Sequence, residues 1–478
     1  MDVVAGTGTN QRPDLSDAVA DFIADTDYEA LPPPVVERVK KSILDVLGVG
    51  VYGSPRHEVA PVLAYAKHHA ERKESTIFCG GGMASSFQTA MVNGSYVHTT
   101  EFAEGFSRAL VHPGNSIIPG LLAVCERDHR SGKDLLTGAS LGYELNIRMG
   151  RTVEAEFNLE QGFHVPAVLG AIASAAACGK ALGLDREGIV NVLGISACQM
   201  PTALMAATYE QRTVKDLFQG FNSALGVLAA DFAVEGITGL HDWVGPWYHA
   251  IPRHKRLERL TERLGEYWYV SSGGIRIKTR PVMAMAQPTC FALYDMLQKE
   301  RFDSDLVEDV LVESSKRIAM NAIYEVDEMV AARASIPFLV AAALVHQEEF
   351  ASDYYLVKFL RDELFGEQRI KELMPKVRLA VNPEYDFNLE HADASDDPAH
   401  YISFEARVTI RLKDGRTLQA YKDVFAAGTG NMSRDDVARK FRACVDGLMP
   451  PERAEEVIDM VWRLDELKDA GELARLMA

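Results

Sequence analysis

Gly162-Phe163-His164-Val165-Pro166-Ala167-Val168-Leu169-Gly170-Ala171-Ile172-Ala173-Ser174-Ala175-Ala176-Ala177-Cys178-Gly179-Lys180-Ala181-Leu182 is the stretch on which the fold turns. From Gln161 to Gly179 it holds no Asp, Glu, Lys or Arg, and by length alone it invites a membrane-span reading. Gln161, His164 and the run of Ala and Gly argue instead for a buried helix of a soluble fold. Small residues at Ala171, Ala173, Ala175, Ala176 and Ala177 let neighbouring helix axes come close, which is bundle chemistry.

Working outward, the pattern is helical from about Leu15 to Leu264. Pro32-Pro33-Pro34 ends one helix and opens the next, a place where proline costs little. Val35, Val39, Ile43, Val46 and Leu47 then recur at helical spacing. Further helices are predicted over 84–97, 117–126, 133–155, 186–198 and 214–234. Beyond Tyr267 the texture changes. Strands are predicted over 275–278, 307–314, 376–381, 403–412 and 417–424, the last two flanking the turn Lys413-Asp414-Gly415. Helices are predicted over 334–346 and 352–364, and the acidic run 384–400 reads as a solvated loop. Ser433 ahead of Arg434-Asp435-Asp436 is an N-cap signal for a final helical segment. The expected domains are therefore a helical part over 1–268, an α+β part over 269–432, and a helical tail over 433–478 that returns to the first. At 478 residues the chain exceeds what one core usually serves.

Composition removes several function classes. With 47% apolar and 25% charged residues the bulk of the chain has the make-up of a packed protein, and a net charge of −18 repels phosphate backbones and anionic lipid. Neither nucleic acid nor membrane is expected as a partner. The six cysteines, Cys79, Cys125, Cys178, Cys198, Cys290 and Cys444, show no metal-ligand spacing and are expected to be buried, reduced thiols. The first residues carry neither the basic nor the apolar segment of a secretory signal, so a cytoplasmic location is expected. No dinucleotide fingerprint follows a strand, and P-loop and HExxH motifs are absent. Gly80-Gly81-Gly82 and Gly428-Thr429-Gly430 read as turns.

Polar residues gather in four places where a bundle does not need them. His112, in His112-Pro113-Gly114-Asn115-Ser116, stands just ahead of a helix whose N–H groups offer a seat for a carboxylate, and an imidazole there can serve as acid or base. His164 repeats that arrangement; either histidine read alone is more often a capping or core residue. Lys215 sits among Val214, Leu217, Phe218 and Phe221, either desolvated to bind a carboxylate or paired with Asp216 or Glu210. Arg276, Lys278 and Arg280 place three cations in five residues at the junction of the two textures, suited to a polycarboxylate or to an exposed basic edge.

In order and separation, these segments resemble the MmgE/PrpD family of 2-methylcitrate dehydratase, cis-aconitate decarboxylase and iminodisuccinate epimerase. The resemblance rests on His112-Pro113-Gly114-Asn115-Ser116, Gly162-Phe163-His164, and Lys215 with Gln219-Gly220-Phe221-Asn222. It implies a mainly α protein, with a large all-helical bundle domain and a smaller α+β lid domain inserted before the C-terminal helices. It also implies a homodimer, a site between the domains, and no metal or organic cofactor. His112, His164, Lys215 and Lys278 match the active-site positions of the decarboxylase branch, and Tyr324 falls near a catalytic tyrosine. Glu101 stands for an expected aspartate, Ala103 and Glu104 replace a common Asp-Asp pair, and Met283 replaces a polar residue. Arg276, Arg280 and Gln219 join Lys278 as candidate substrate-binding residues. The implied chemistry is proton movement beside a carboxylate, and a dehydratase acting on a small di- or tricarboxylate is expected. A decarboxylase or an epimerase is the alternative, and a carboxylate-binding scaffold without catalysis the further one.

Overall fold

Why the first half folds as a bundle is visible in its helix ends and its glycines. The computed structural model describes residues 15–153, 156–199, 203–385, 404–423 and 432–478. Helix α1 (Pro33–Gly53) opens on the proline pair, and α2 (Ser86–Thr99) opens on a capping box between Ser85 and Gln88. Then follow α3 (Pro113–Arg127), α4 (Gly132–Thr152), α5 (Val165–Ala181) and α6 (Phe218–Val234). The quoted stretch forms α5, whose residues are buried almost throughout between α3, α4 and α6. Small residues do set the helix spacing. A Cβ on Gly94 of α2 would lie 2.8 Å from the Cα of Gly220 in α6, closer than side chains tolerate.

The run Thr213–Val234 is long and apolar enough to cross a membrane by composition, yet 56% of that window is buried inside the fold. Its start differs from expectation: Thr213–Leu217 is a 3-10 turn, and the α-helix begins only at Phe218. The tighter turn buries Lys215 and leaves Val214 in solvent.

Two-residue strands β1 (Gly105–Phe106) and β2 (Ile275–Arg276) pair antiparallel, Gly105 opposite Arg276. The strand expected over 275–278 is thus shorter and lies against the bundle, outside the main sheet. The α+β part holds α7 (Gln287–Lys299), β3 (Val307–Ser314), α8 (Ile336–Val345), β4 (Val377–Val381), β5 (Glu405–Leu412) and β6 (Thr417–Asp423). Its four strands run in the order β4-β3-β5-β6, with β3 and β4 parallel and the other pairs antiparallel. The β5–β6 hairpin turns at Gly415, whose φ of 90° suits glycine. No continuous helix spans 352–364. Buried Leu356, Phe359 and Leu360 mimic helical spacing, but Leu356 has φ 53° and the Asp353 carboxylate accepts the Lys358 N–H in a turn. The acidic run beyond Tyr385 and the Gly428–Gly430 cluster lie outside the described residues.

Helices α9 (Arg434–Val445) and α10 (Pro451–Trp462) follow, α9 on the capping box of Ser433 and Asp436. One hydrophobic core joins residues from Val19 to Ile277 with others from Met432 to Met477, and a second spans Val282 to Leu412. Phe441 of α9 packs against Gly48 of α1. Cys125, Cys178, Cys290 and Cys444 are buried free thiols, as expected, whereas Cys79 is half-buried and Cys198 is exposed.

Candidate active site

A cleft of about 1310 Å³, open mouth included, lies where the bundle meets the α+β part. Helix ends deliver its polar groups. His112 and His164 are the residues flanking the N-termini of α3 and α5, His98 is in the last turn of α2, and Lys215 is on the 3-10 turn before α6. Lys278 arrives just past β2, so the short ribbon with Gly105–Phe106 aims it at the same place.

Glu101 stands between the two lysines. Its carboxylate pairs with Lys215, and Lys278 Nζ lies 3.1 Å from its other oxygen and donates to its carbonyl at 2.9 Å. The residue holds φ 53°, a left-handed conformation that costs a side-chain-bearing residue about 1 kcal/mol or more. Burial alone pushes its carboxyl up, but Lys215 and Lys278 outweigh that and hold it well below the ordinary range. Burial also pulls the Lys278 ammonium down, against the opposing pull of Glu101.

The histidines are kept neutral. Burial, then the charge of Lys278, pushes His112 down to about 4, and burial, then Lys215, pushes His164 down to about 3. His98 is lowered for the same reasons, burial first and Lys215 second. His112 Nδ1 lies 2.8 Å from the Glu104 carbonyl oxygen, an atom that only accepts, so Nδ1 carries the proton and Nε2 keeps its lone pair. Space for that contact exists because residue 105 is glycine: a Cβ there would lie 2.7 Å from His112 Nδ1. His98 Nδ1 meets Asn115 Nδ2 at 3.2 Å, while His98 Nε2 and His164 Nδ1 are buried without a protein partner among the described residues.

Of the expected residues, Glu101, His112, His164, Lys215, Arg276 and Lys278 line this cleft, and so does Met283. Three do not, and the reasons are physical. Arg280 is fully buried with its guanidinium 3.8 Å over the Phe291 ring and between Tyr294 and Tyr354, turned away into the second core. Gln219 is sealed at the α2–α6 contact, where Asn222 donates to it at 3.2 Å. Tyr324 is 45% exposed, and its hydroxyl donates to the Val377 carbonyl at 2.7 Å. Sequence reasoning missed His98, although its place three residues before Glu101 on a helix end is a readable signal. It also treated Asp216 only as a partner for Lys215. Asp216 is buried, its oxygens have no hydrogen-bond donor among the described residues, and burial pushes it up to about 7 despite Lys215 at 4.0 Å.

Among the described residues, no group of three His, Cys, Asp or Glu side chains is placed to hold a metal ion. The arrangement offers two ammonium groups for carboxylates, beside imidazoles able to accept a proton at neutral pH.

The sequence model of the MmgE/PrpD N-terminal domain matches residues 17–246, and that of the MmgE/PrpD C-terminal domain matches residues 281–466. The cis-aconitate decarboxylase of Mus musculus is 24% identical over 477 residues, covering 97% of this chain and 93% of the relative. That of Aspergillus terreus is 24% identical over 498 residues, covering 98% and 97%. The human enzyme of that name is 24% identical over 461 residues, covering 93% and 90%. With both family domains matched in order across most of its length, the chain belongs to the MmgE/PrpD family.

Proposed function

We propose that this protein is a lyase that moves a proton on a carbon beside a carboxylate of a small di- or tricarboxylate. The observation that carries the reading is the convergence of Lys215, Lys278 and neutral His112 and His164 on one cleft. Family membership and decarboxylase relatives support an enzyme working on a carboxylate. The proposal covers both loss of water, the reaction expected first from sequence, and loss of carbon dioxide, the reaction for which these relatives are named.

In either reaction the electron pair left on carbon spreads onto a neighbouring carboxylate, and Lys215 and Lys278 neutralise the charge that develops there. For decarboxylation, the C–C bond to the departing carboxylate breaks, carbon dioxide leaves with its carbon, and an imidazolium that has taken a proton from solvent gives it to the carbon left with the electron pair. A polyanionic ligand beside His112 and His164 adds negative charge, which raises their affinity for that proton. For dehydration, His112 Nε2 takes the proton from carbon, and a second group protonates the departing hydroxide to water.

The reading extends to a homodimer. On α6, Phe221 is exposed and Leu225, Leu228 and Phe232 are half-buried at helical spacing, an apolar face that sedimentation would report as self-association.

Proton NMR of the purified protein in D₂O with 2-methylcitrate, citrate, cis-aconitate and iminodisuccinate tests the proposal. Loss of carbon dioxide from cis-aconitate supports the decarboxylase, and new olefinic signals from a hydroxy acid support the dehydratase. Deuterium entering with inversion means an epimerase. No turnover, combined with a melting temperature raised by one of these acids, points to a binding protein and refutes the lyase.

A further inference from the structure

The backbone from Glu101 to Gly105 carries much of what the proposed chemistry uses. It sets the Glu101 carboxylate between two lysines, and it offers the Glu104 carbonyl that fixes the proton on His112 Nδ1. What grips this loop lies outside the cleft. Lys440 of α9 places its ammonium 2.6 Å from Asp45 Oδ1 of α1, with both side chains at most 1% exposed. The same ammonium donates to the Phe102 carbonyl at 2.8 Å and stands 3.9 Å over the Phe102 ring. The other Asp45 oxygen accepts the Glu104 N–H at 3.2 Å. One turn back on α1, Ser42 Oγ donates to the Glu104 carboxylate at 2.5 Å. The cation therefore holds the loop at residue 102 and its anionic partner holds it at residue 104.

We propose that Lys440 and Asp45 are positioning residues, which pin the loop 101–105 so that His112 keeps its proton on Nδ1 and Glu101 stays between the lysines. The inference rests on the role proposed for His112. A buried ion pair is by itself weak evidence of stabilisation, because apolar residues of similar volume often serve as well. Here both charges direct their remaining hydrogen bonds to one loop, one and zero residues from groups that face or orient the cleft. Helix α9 of the C-terminal segment, more than 300 residues away in sequence, thereby sets the geometry of the candidate base.

The full-length double variant Asp45→Leu/Lys440→Met removes both charges without leaving either unpaired. Two readouts decide: steady-state kcat, and the His112 ring pattern in long-range proton–nitrogen correlation spectra, assigned by its loss in His112→Gln. The expected result is a folded protein whose kcat falls by about tenfold to a hundredfold, as a displaced reacting group would give. The His112 pattern changes from a single Nδ1–H tautomer to a mixture. A folded double variant with wild-type kcat and an unchanged His112 pattern overturns the proposal and makes the pair purely structural. Should the double variant not fold, Lys440→Met alone, with Asp45 free to take up a proton, is read by the same two signals with the same meaning. The tautomer is recorded without substrate, so a wild-type protein that turns over no polycarboxylate refutes the proposed function and leaves this test standing.

Discussion

Lowering the pH is the most informative perturbation of the cleft, because the structure fixes where its base stops working. Burial and Lys278 move His112 from the ordinary 6.5 down to about 4. That difference corresponds to about 3 kcal/mol against the imidazolium. Since kcat/KM follows the free enzyme, a reaction in which His112 takes the proton is expected to keep it flat from about pH 8 to about pH 5 and to lose it only below that. Initial rates on the acid that is turned over measure this, with urea midpoints at each pH to separate unfolding from titration. Lys278→Met removes the second-largest cause, so the His112 midpoint, followed by NMR of its ring protons, moves up toward 6.5. The linkage has a definite sign. A histidine whose folded value is depressed contributes stability that is present above its unfolded value and is lost as pH falls toward the folded one. His112 alone therefore removes up to about 3 kcal/mol between pH 6.5 and about 4. An acid limb of kcat/KM centred near 6.5, with the protein folded, would refute the reasoning, because it would mean that neither burial nor Lys278 acts on the base.

Other consequences follow from the same contacts. Gly105→Ala sets a Cβ against His112 Nδ1, and kcat is expected to fall about tenfold or more while the melting temperature shifts little; an unchanged kcat contradicts the close approach. Glu101→Gln strips the shared counter-charge from Lys215 and Lys278. It is expected to lower the melting temperature and to enlarge the stabilisation given by an added polycarboxylate; an equal ligand shift in both proteins contradicts the pairing. Asp216 is a carboxyl raised to about 7, so the stability it contributes is present below its unfolded value of 3.8 and is lost as pH rises to about 7. Asp216→Asn should therefore gain on the wild type across that range, by an amount on the order of 4 kcal/mol in urea titrations, and a constant difference contradicts it.

Much of this fold is legible in local pattern. The Ala-rich α5, the Ser433 cap and the hairpin at Gly415 each follow from short-range rules: periodicity, side-chain capping and tolerance of positive φ. Misreadings occur where tertiary contacts override spacing. Leu356, Phe359 and Leu360 repeat like a helix, yet they face the second core from a turn. Arg276 and Arg280 look equivalent in sequence, but the two-residue ribbon turns one toward the cleft while aromatic rings take the other. Lys215 and Lys278 are 63 positions apart, and only the shared Glu101 carboxylate shows that they act together. The hold on the loop is harder still to read, since Asp45 and Lys440 look in sequence like ordinary surface charges of two helices.

The proposed reaction depends on neutral His112 moving a proton in a cleft whose lysines grip carboxylates. Turnover and binding measured side by side in wild type and His112→Gln test it most directly. The expected result is a kcat lower by ~10²–10⁴-fold, with calorimetric affinity for the same acid within about threefold. A His112→Gln protein that binds the acid and turns it over at the wild-type rate would contradict it.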